Sequence, residues 1–364
     1  MFKRFCVLLV AVALLHSTLV VESCAADMQL SAHSAVVMIA ATGEVVFEKD
    51  AHTRRGMAST TKIMTSIVAL ENVTLKDCVT VKAEHVAVEG TSMGLRAGDK
   101  VTVDDLLKGM LLASGNDAAN VTATFVSGSI ESFSLLMNSK AKELGMNNTS
   151  FRNPSGLTED GHYSTAYDMA LLGSYAIKNK VFREICSTLK TTVSIGEPIR
   201  ETTLYNHNKL LSKYDGAIGI KTGFTKAAGR CLVTAVERDG VMLVAVTLNA
   251  YDDWNDHIKL YDYAFSKVQT VTEEISLTDI SVPVCNSSEG VVRVSSLRPV
   301  IVPYVNKKPQ YTVKIFVPHF VYAPVRKGDL LGWVEIYAQN GSFISKEYIV
   351  SAEKINPLQI SGCG

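Results

Sequence analysis

The chain has 364 residues, 47% hydrophobic and 20% charged, which is ample for one sizeable core and for a second domain beside it. Lysine plus arginine and aspartate plus glutamate both total 36, so the formal net charge is zero. No basic excess of the kind a nucleic-acid binder needs is present, so no nucleic-acid partner is expected.

The N-terminus reads as an export signal. Lys3 and Arg4 are followed by an apolar run from Cys6 to Leu15, extended by Leu19 to Val21, and then by small residues at Ser23-Cys24-Ala25-Ala26. Cleavage is expected near Ala25 or Ala26. The competing reading, an uncleaved membrane anchor, is weakened by His16, Ser17 and Thr18, which leave the run short for a span. A lipid anchor on Cys24 fits poorly, because Glu22 stands where a small residue is expected. Cleavage beyond Cys24 leaves Cys78, Cys186, Cys231, Cys285 and Cys363, with no C-x-x-C pair to suggest zinc or thioredoxin-like chemistry. Most read as small buried apolar residues.

Residues 35–48 carry two β-rich runs around a Thr42-Gly43 turn, the pattern of a hairpin. Thr60 to Leu70 has apolar residues at Ile63, Ile67 and Leu70, spaced for a helix. Thr102 can cap the next helix, with Asp105 three residues on and an apolar stripe of Val103, Leu106, Leu107, Met110 and Leu111. Ser114-Gly115-Asn116 then forms a turn, with another helix from Asp117. Helices follow over 133–145, closing at Gly145, and over 165–178, with an Asn153-Pro154-Ser155-Gly156-Leu157 loop between them. Cys231 to Val236 and Val241 to Leu248 flank an Arg238-Asp239-Gly240 turn, a second hairpin, and Trp254 to Phe265 is a helix. Beyond residue 270, short β-branched runs alternate with turns, with a strong hairpin signal at Asn340-Gly341.

Three strings stand out in order: Ser59-Thr-Thr-Lys62, Ser114-Gly-Asn116 and Lys221-Thr-Gly223, with 52 residues from Lys62 to Ser114 and 105 from Asn116 to Lys221. Each places a hydroxyl beside a cation or an amide, so together they can build a nucleophilic serine site without a histidine. With Ser59 in the first turn of its helix, Lys62 shares its face. A serine hydroxyl needs a base to take its proton, and lysine serves only when neutral, so its pKa must fall through desolvation, a neighbouring cation such as Lys221, or a helix N-terminus. Ser114 can relay a proton to the leaving group. Asn116 can hold Lys62 and donate to a substrate carbonyl. Lys221 and Thr222 can bind a carboxylate, and Gly223 lets substrate approach an edge strand. The backbone N–H groups of Ser59 and Phe224 are the expected oxyanion hole, where losing one donor typically costs about 3–4 kcal/mol.

Taken singly, each string has a plainer reading. Ser-x-x-Lys is common at helix starts, Ser-Gly-Asn is an ordinary turn, and Lys-Thr-Gly an ordinary strand end. A phosphate loop is excluded because Ile220, not glycine, precedes Lys221. The ordered set is the mark of penicillin-recognising serine enzymes.

With these residues in place, the chain resembles the D-alanyl-D-alanine carboxypeptidases, the low-molecular-weight penicillin-binding proteins. The likeness extends beyond the motifs to Ala58–Thr65, Leu112–Ala119, Asn153–Leu157 with His162–Ala166 and Asp168–Ala170, Asn206–Leu211, and Gly219–Gly229. It implies an α+β fold: an antiparallel sheet flanked by helices, β-lactamase/transpeptidase-like, with a small C-terminal all-β domain. The expected division is 1–26 signal peptide, 27–270 penicillin-binding D,D-peptidase catalytic domain, and 271–364 small β-rich domain. The resemblance also implies cleavage of the last D-alanine from a peptidoglycan stem peptide through a Ser59 acyl-enzyme, with covalent inhibition by β-lactams. On this reading Lys62 is the base. Ser114 and Asn116 complete the relay and substrate contacts, and Lys221, Thr222, Gly223 and Phe224 bind substrate. No cofactor and no metal are expected. The expected place is exported, in the cell envelope or outside it, with no C-terminal membrane helix.

Two positions depart from the family pattern. Ser155 stands where a histidine often follows Asn-Pro, and Asp253 precedes Trp254 where the family often has an arginine. Carboxylate binding would then lean on Lys221, Thr222 or His207. Two alternatives stay open. A β-lactamase would need a carboxylate to activate the deacylating water, which Glu143-Leu-Gly-Met-Asn147 mimics, although Gly145 reads better as a helix C-cap. A silent penicillin-binding module would have no need of Ser59, Lys62, Ser114 and Lys221. His162 and Asp168 read as structural, and Cys231 as packing, with a weak case for redox sensitivity.

Overall fold

The computed structural model describes residues 28–358 apart from positions 309, 340 and 342. The expected leader, Asn340 and Cys363 lie outside the described residues.

Strands β1 (Ser34–Ile39) and β2 (Val45–Lys49) form the first hairpin. Gly43 takes φ +75° at its turn, a conformation that glycine adopts without strain. A 3₁₀ turn, Ala58–Thr61, leads into helix α1 (Lys62–Asn72). The expected single helix thus begins with a tighter turn, and Ser59 sits on it. A 3₁₀ turn eclipses residues three apart, so it aligns Ser59 and Lys62 more closely than an α-helix would. Helix α2 (Val103–Leu111) is capped by Thr102, whose Oγ1 accepts from Asp105 N, as its sequence requires. Helix α3 (Asn116–Ser127) starts one residue earlier than expected, and α4 (Ile130–Glu143) closes before Gly145 at φ +76°. Helix α5 (Ala166–Ala176) has Thr165 as its cap. Asp168 on its first turn accepts from Asn148 N and Thr149 Oγ1, fixing the preceding loop. Strands β3 (Ala217–Thr225), β4 (Gly229–Arg238) and β5 (Val241–Leu248) and helix α6 (Asp253–Lys267) follow.

The five strands make one antiparallel sheet in the order β2-β1-β5-β4-β3. Val36, Met38, Val233, Val244 and Val246 from this sheet join Ile63, Ile67, Leu107 and Met169 from the helices in one buried core. The order leaves β3 at an edge. Its outer backbone groups are not used by the sheet, which is the arrangement that admits an added extended chain.

Sequence reading missed the hairpin of Lys190–Ile195 with Arg200–Tyr205 and the helix Lys180–Ser187. The hairpin is threonine-rich, and its buried face holds only Val193, Ile195 and Leu204 as apolar residues, so its hydrophobic alternation is faint in the sequence. Beyond residue 270, a second buried cluster gathers Val282, Val292, Val302, Val334, Ile336 and Ile349. It is built on a six-stranded sheet that runs Tyr311–Phe316, Leu330–Ala338, Phe343–Ser351, Val291–Ser296, Ser281–Cys285 and Val321–Tyr322. Gln269–Glu273 pairs separately with Val300–Tyr304. Glu44, in the β1–β2 turn, accepts from Val305 N and Asn306 N and ties the second cluster to the central sheet. No described helix is long and apolar enough to cross a membrane.

The seat of the 3₁₀ turn is set by Gly156. A Cβ there would lie 1.9 Å from Ala58 O at a φ of +85°. Gly43 is also left-handed, yet a Cβ there would meet nothing within 4 Å. Gly43→Ala is therefore expected to cost about 1 kcal/mol from backbone strain alone. Gly156→Ala should cost about 1–3 kcal/mol more, because the turn must also be displaced. Urea unfolding of both variants checks this, and equal losses would refute the contact.

Candidate active site

The three motifs converge. Lys62 comes from the first turn of α1, Asn116 from the first turn of α3 and Lys221 from β3. Lys62 is fully buried, and its Nζ lies 2.9 Å from Ser59 Oγ, 2.7 Å from Asn116 Oδ1 and 2.6 Å from Ser155 O. An ammonium spends its three hydrogens on these three oxygens. A neutral amine has only two, and two of its partners, an amide oxygen and a carbonyl, can only accept. Its lone pair is then left for Ser59, whose hydroxyl can donate. Loss of the proton thus turns the same geometry into a base poised on a nucleophile. Burial holds Lys62 well below the usual lysine range, the charge of Lys221 pushes the same way, and Asp117 opposes.

The third oxygen was not legible as a site group. Ser155 contributes its carbonyl, so the departure from histidine at this position leaves the contact intact. The loop is pinned by Thr65 Oγ1, which donates to Pro154 O at 2.6 Å, and by Asn153 Oδ1, which accepts from Gly156 N. Asn116 is held at both ends: Oδ1 faces Lys62, and Nδ2 donates to Glu89 O at 2.6 Å. Asp117 beside it is buried and accepts from Met93 N, Leu95 N and Ser92 Oγ, clamping the 92–95 loop to the start of α3. Sequence reading placed Asp117 only as a helix start.

Each motif contains or directly follows a residue in a backbone region that L-residues avoid. Ala58, before Ser59, has φ +48°. Ser114 has φ +61°, and Ile220, before Lys221, has φ +117°. Ser114 is held there by its own carbonyl, which accepts from Thr91 Oγ1 at 2.7 Å.

A cleft of about 320 Å³ is lined by Ser59, Ser114, Thr222, Gly223, Phe224 and Arg230, among others. Gly223 lies against the nucleophile turn: a Cβ there would be 3.0 Å from Ser59 N and 3.1 Å from Met57 O. Closeness of β3 to this turn, as much as access for substrate, requires glycine. Phe224 next to it is exposed. Lys221 does not line the cleft. It is buried beneath, with Nζ donating to Thr222 O at 2.8 Å, and burial lowers it to about 7. His207 is on the cleft wall, pushed below its ordinary value by burial and then by Lys221.

Asp253, the second departure, meets a partner. Its Oδ1 accepts from Arg230 Nε and Nη2 at 3.1 and 2.8 Å, and both residues line the cleft. His162 is structural. Its Nδ1 accepts from Arg152 N, so its Nε2 carries the hydrogen toward Thr61 Oγ1 at 2.9 Å. Burial, aided by Arg152, lowers it to about 4. Cys231 is buried on β4, opposite Gly223, and its thiol is pushed up to about 11 by burial, which leaves it unreactive. Glu143 is on the C-terminal turn of α4, paired with Lys140 and away from the cleft. No group of metal-ligating side chains occurs among the described residues. A larger cleft of about 700 Å³ lies between the two clusters, lined by Lys178, Arg183, Arg298 and Glu347, and holds none of the motif residues.

Comparison with known proteins agrees with this geometry. A model of the D-alanyl-D-alanine carboxypeptidase family matches residues 21–252. The chain is 33% identical over 343 residues to D-alanyl-D-alanine carboxypeptidase DacF of Bacillus subtilis, covering 90% of this chain and 86% of that one. It is 34% identical over 356 residues to DacC of Escherichia coli, covering 90% and 84%. Among solved structures, the Streptomyces K15 DD-transpeptidase superposes with a TM-score of 0.63 at 36% identity, over 65% of this chain and 98% of that one. The carboxypeptidase DacD of Francisella tularensis superposes with a TM-score of 0.64 at 28% identity, over 92% and 95%. Matched through its motifs, its sheet and more than half its length, the chain belongs to the D-alanyl-D-alanine carboxypeptidase family.

Proposed function

We propose that the protein is a serine D,D-carboxypeptidase that removes the terminal D-alanine from peptidoglycan stem peptides. The observation that carries this is the buried Lys62 amine, held between two obligate acceptors with its third direction on Ser59 Oγ. Substrate adds to edge strand β3 as an extended chain. Ser59 attacks the carbonyl between the two D-alanines while its proton passes to Lys62. The N–H groups of Ser59 and Phe224 hold the oxyanion. Ser114 relays the proton from Lys62 to the leaving amine as the C–N bond breaks, and D-alanine departs. Water then attacks the Ser59 ester, giving its proton to the same lysine, and the shortened peptide leaves. A β-lactam enters by the same attack, but its leaving group stays tethered, so the acyl-enzyme persists.

The family relationship supports this reading over that of a β-lactamase. The acid that lines the cleft, Asp253, is bound to Arg230, and Glu143 is elsewhere, so neither stands free to activate deacylating water. Residues 27–270 carry the chemistry, and 271–364 form the small β-domain. The N-terminal signal reading puts the enzyme in the cell envelope or outside the cell, where its substrate is.

Ser59→Ala should abolish both D-alanine release from a Lys-D-Ala-D-Ala tripeptide and labelling by a fluorescent penicillin, with an unchanged melting curve. Mass spectrometry of the wild-type labelled peptide should place the adduct on Ser59. Residual labelling of the variant would mean that another residue is the nucleophile.

The pH dependence follows from Lys62. Its proton must leave before it can take that of Ser59, so acylation rises with pH through its lowered pKa. Lys221→Met removes one of the two causes of that lowering. Lys62 then keeps its proton to higher pH, and the acid limb of the acylation profile moves up. The effect is largest below about pH 7, where Lys221 is charged. Stopped-flow acylation by a fluorescent penicillin tests this, and an acid limb that stays in place or moves down would rule out the coupling.

A further inference from the structure

Arg230 is one of two cleft-lining cations, with Lys209, that the motifs leave unused. It opens β4 opposite Phe224, the residue that follows Gly223 on β3, so the two side chains stand on one face of the sheet. It lines the cleft together with Ser59 and Thr222. Two of its five N–H groups go to Asp253 Oδ1, and its guanidinium is 5.9 Å from the centre of the Trp254 ring. The Asp253 side chain is 3% exposed and that of Arg230 is 42% exposed. A buried carboxylate is costly to desolvate, and here it holds an accessible guanidinium in one orientation. Burial pushes the Asp253 carboxyl up and the Arg230 hydrogen bond draws it back. The remaining N–H groups form the outer edge of the fork, the shape that a carboxylate engages with two parallel hydrogen bonds.

An enzyme that removes a C-terminal residue has to recognise the free carboxylate of that residue. Lys221 is buried under the cleft and donates to Thr222 O. His207 is pushed below its ordinary value by burial and then by Lys221, which disfavours its charged form. Lys209 lines the cleft from a short 3₁₀ turn, Lys209–Ser212, and carries a compact ammonium on a flexible stem in place of a planar fork. Arg230 alone among these combines permanent charge, planar geometry and a fixed position on a strand.

We propose that Arg230 binds the terminal carboxylate of the substrate and is the main determinant of its preference for a free C-terminus, with Asp253 as its positioning residue. This rests on the carboxypeptidase reading above. The acid at 253 then belongs to the recognition apparatus, supplying the fixed guanidinium indirectly.

The test compares diacetyl-Lys-D-Ala-D-Ala with its C-terminal amide, and benzylpenicillin with its methyl ester, on the whole protein. Arg230→Ala should lower the acid-over-amide preference in kcat/KM by at least about tenfold, mostly through KM. Arg230→Lys should recover only part of it. Asp253→Asn should shift the preference the same way by less, with no further effect once Arg230 is alanine. Lys209→Ala should leave the preference within about twofold. Melting curves confirm folding, and Arg230→Gln serves if the alanine variant is unstable. A folded Arg230 variant that keeps the wild-type preference, or a loss that follows Lys209 instead, overturns the proposal. If wild-type protein releases D-alanine from neither peptide, the carboxypeptidase reading fails. Acid-over-ester selectivity in penicillin acylation still decides the role of Arg230.

Discussion

The structure depends on one buried amine. Lys62 has no contact with solvent, and its three neighbours are oxygens from three separate parts of the chain: Ser59 on the 3₁₀ turn, Asn116 at the start of α3 and Ser155 in the 153–156 loop. A charge in such a place is expensive unless it is paired or lost. The chain offers acceptors but no carboxylate in contact, and adds the charge of Lys221 nearby. Burial, the lack of a contacting carboxylate and the charge of Lys221 favour the neutral form, and together they outweigh the three acceptors, which favour the charged one. Much of the surrounding architecture serves to fix the three oxygens. Asp117 clamps the loop over α3, Thr65 and Asn153 pin the loop that carries Ser155, and His162 reaches the 3₁₀ turn through Thr61.

The sheet supplies the other half of the site. Placing β3 at the edge leaves its outer backbone groups unused by the sheet, and the absence of a side chain at Gly223 lets that edge approach the Ser59 turn to van der Waals distance. Helix α6 and strand β4 then close the end of the cleft with Asp253, Trp254 and Arg230. One side of the cleft thus carries Ser59, with Lys62 beneath it, and the other the Arg230–Asp253 pair.

Much of this was legible in the sequence. The three motif strings, the Thr102 cap, the β1–β2 and β4–β5 hairpins and the terminal helix follow from local spacing and turn chemistry, whereas Lys221, expected at the substrate, is buried beneath the cleft. What was not legible has a common cause. The carbonyl of Ser155 is a backbone group, and its side chain says nothing about it. Arg230 and Asp253 are 23 residues apart, and only the β4–α6 packing brings them together. The fully buried position of Lys221 depends on the layer beneath the sheet, not on its neighbours in the chain. The Lys190–Tyr205 hairpin was missed because its buried face carries only Val193, Ile195 and Leu204 among threonines and charged residues. Sequence patterns report which residues are near in the chain. The remainder of the site is set by contacts between elements.

The left-handed residues at Ala58, Ser114 and Ile220 carry a consequence for how this enzyme can change over evolutionary time. Each occupies a conformation that costs of order 1–3 kcal/mol, so each marks stability forgone at a position adjoining the chemistry. Selection for heat tolerance alone would find easy gains here, by relaxing these turns, and would dismantle the site in the process. Lineages that keep the activity must recover stability elsewhere, in the core of the central sheet or in the β-domain, and tolerance to mutation should be distributed accordingly.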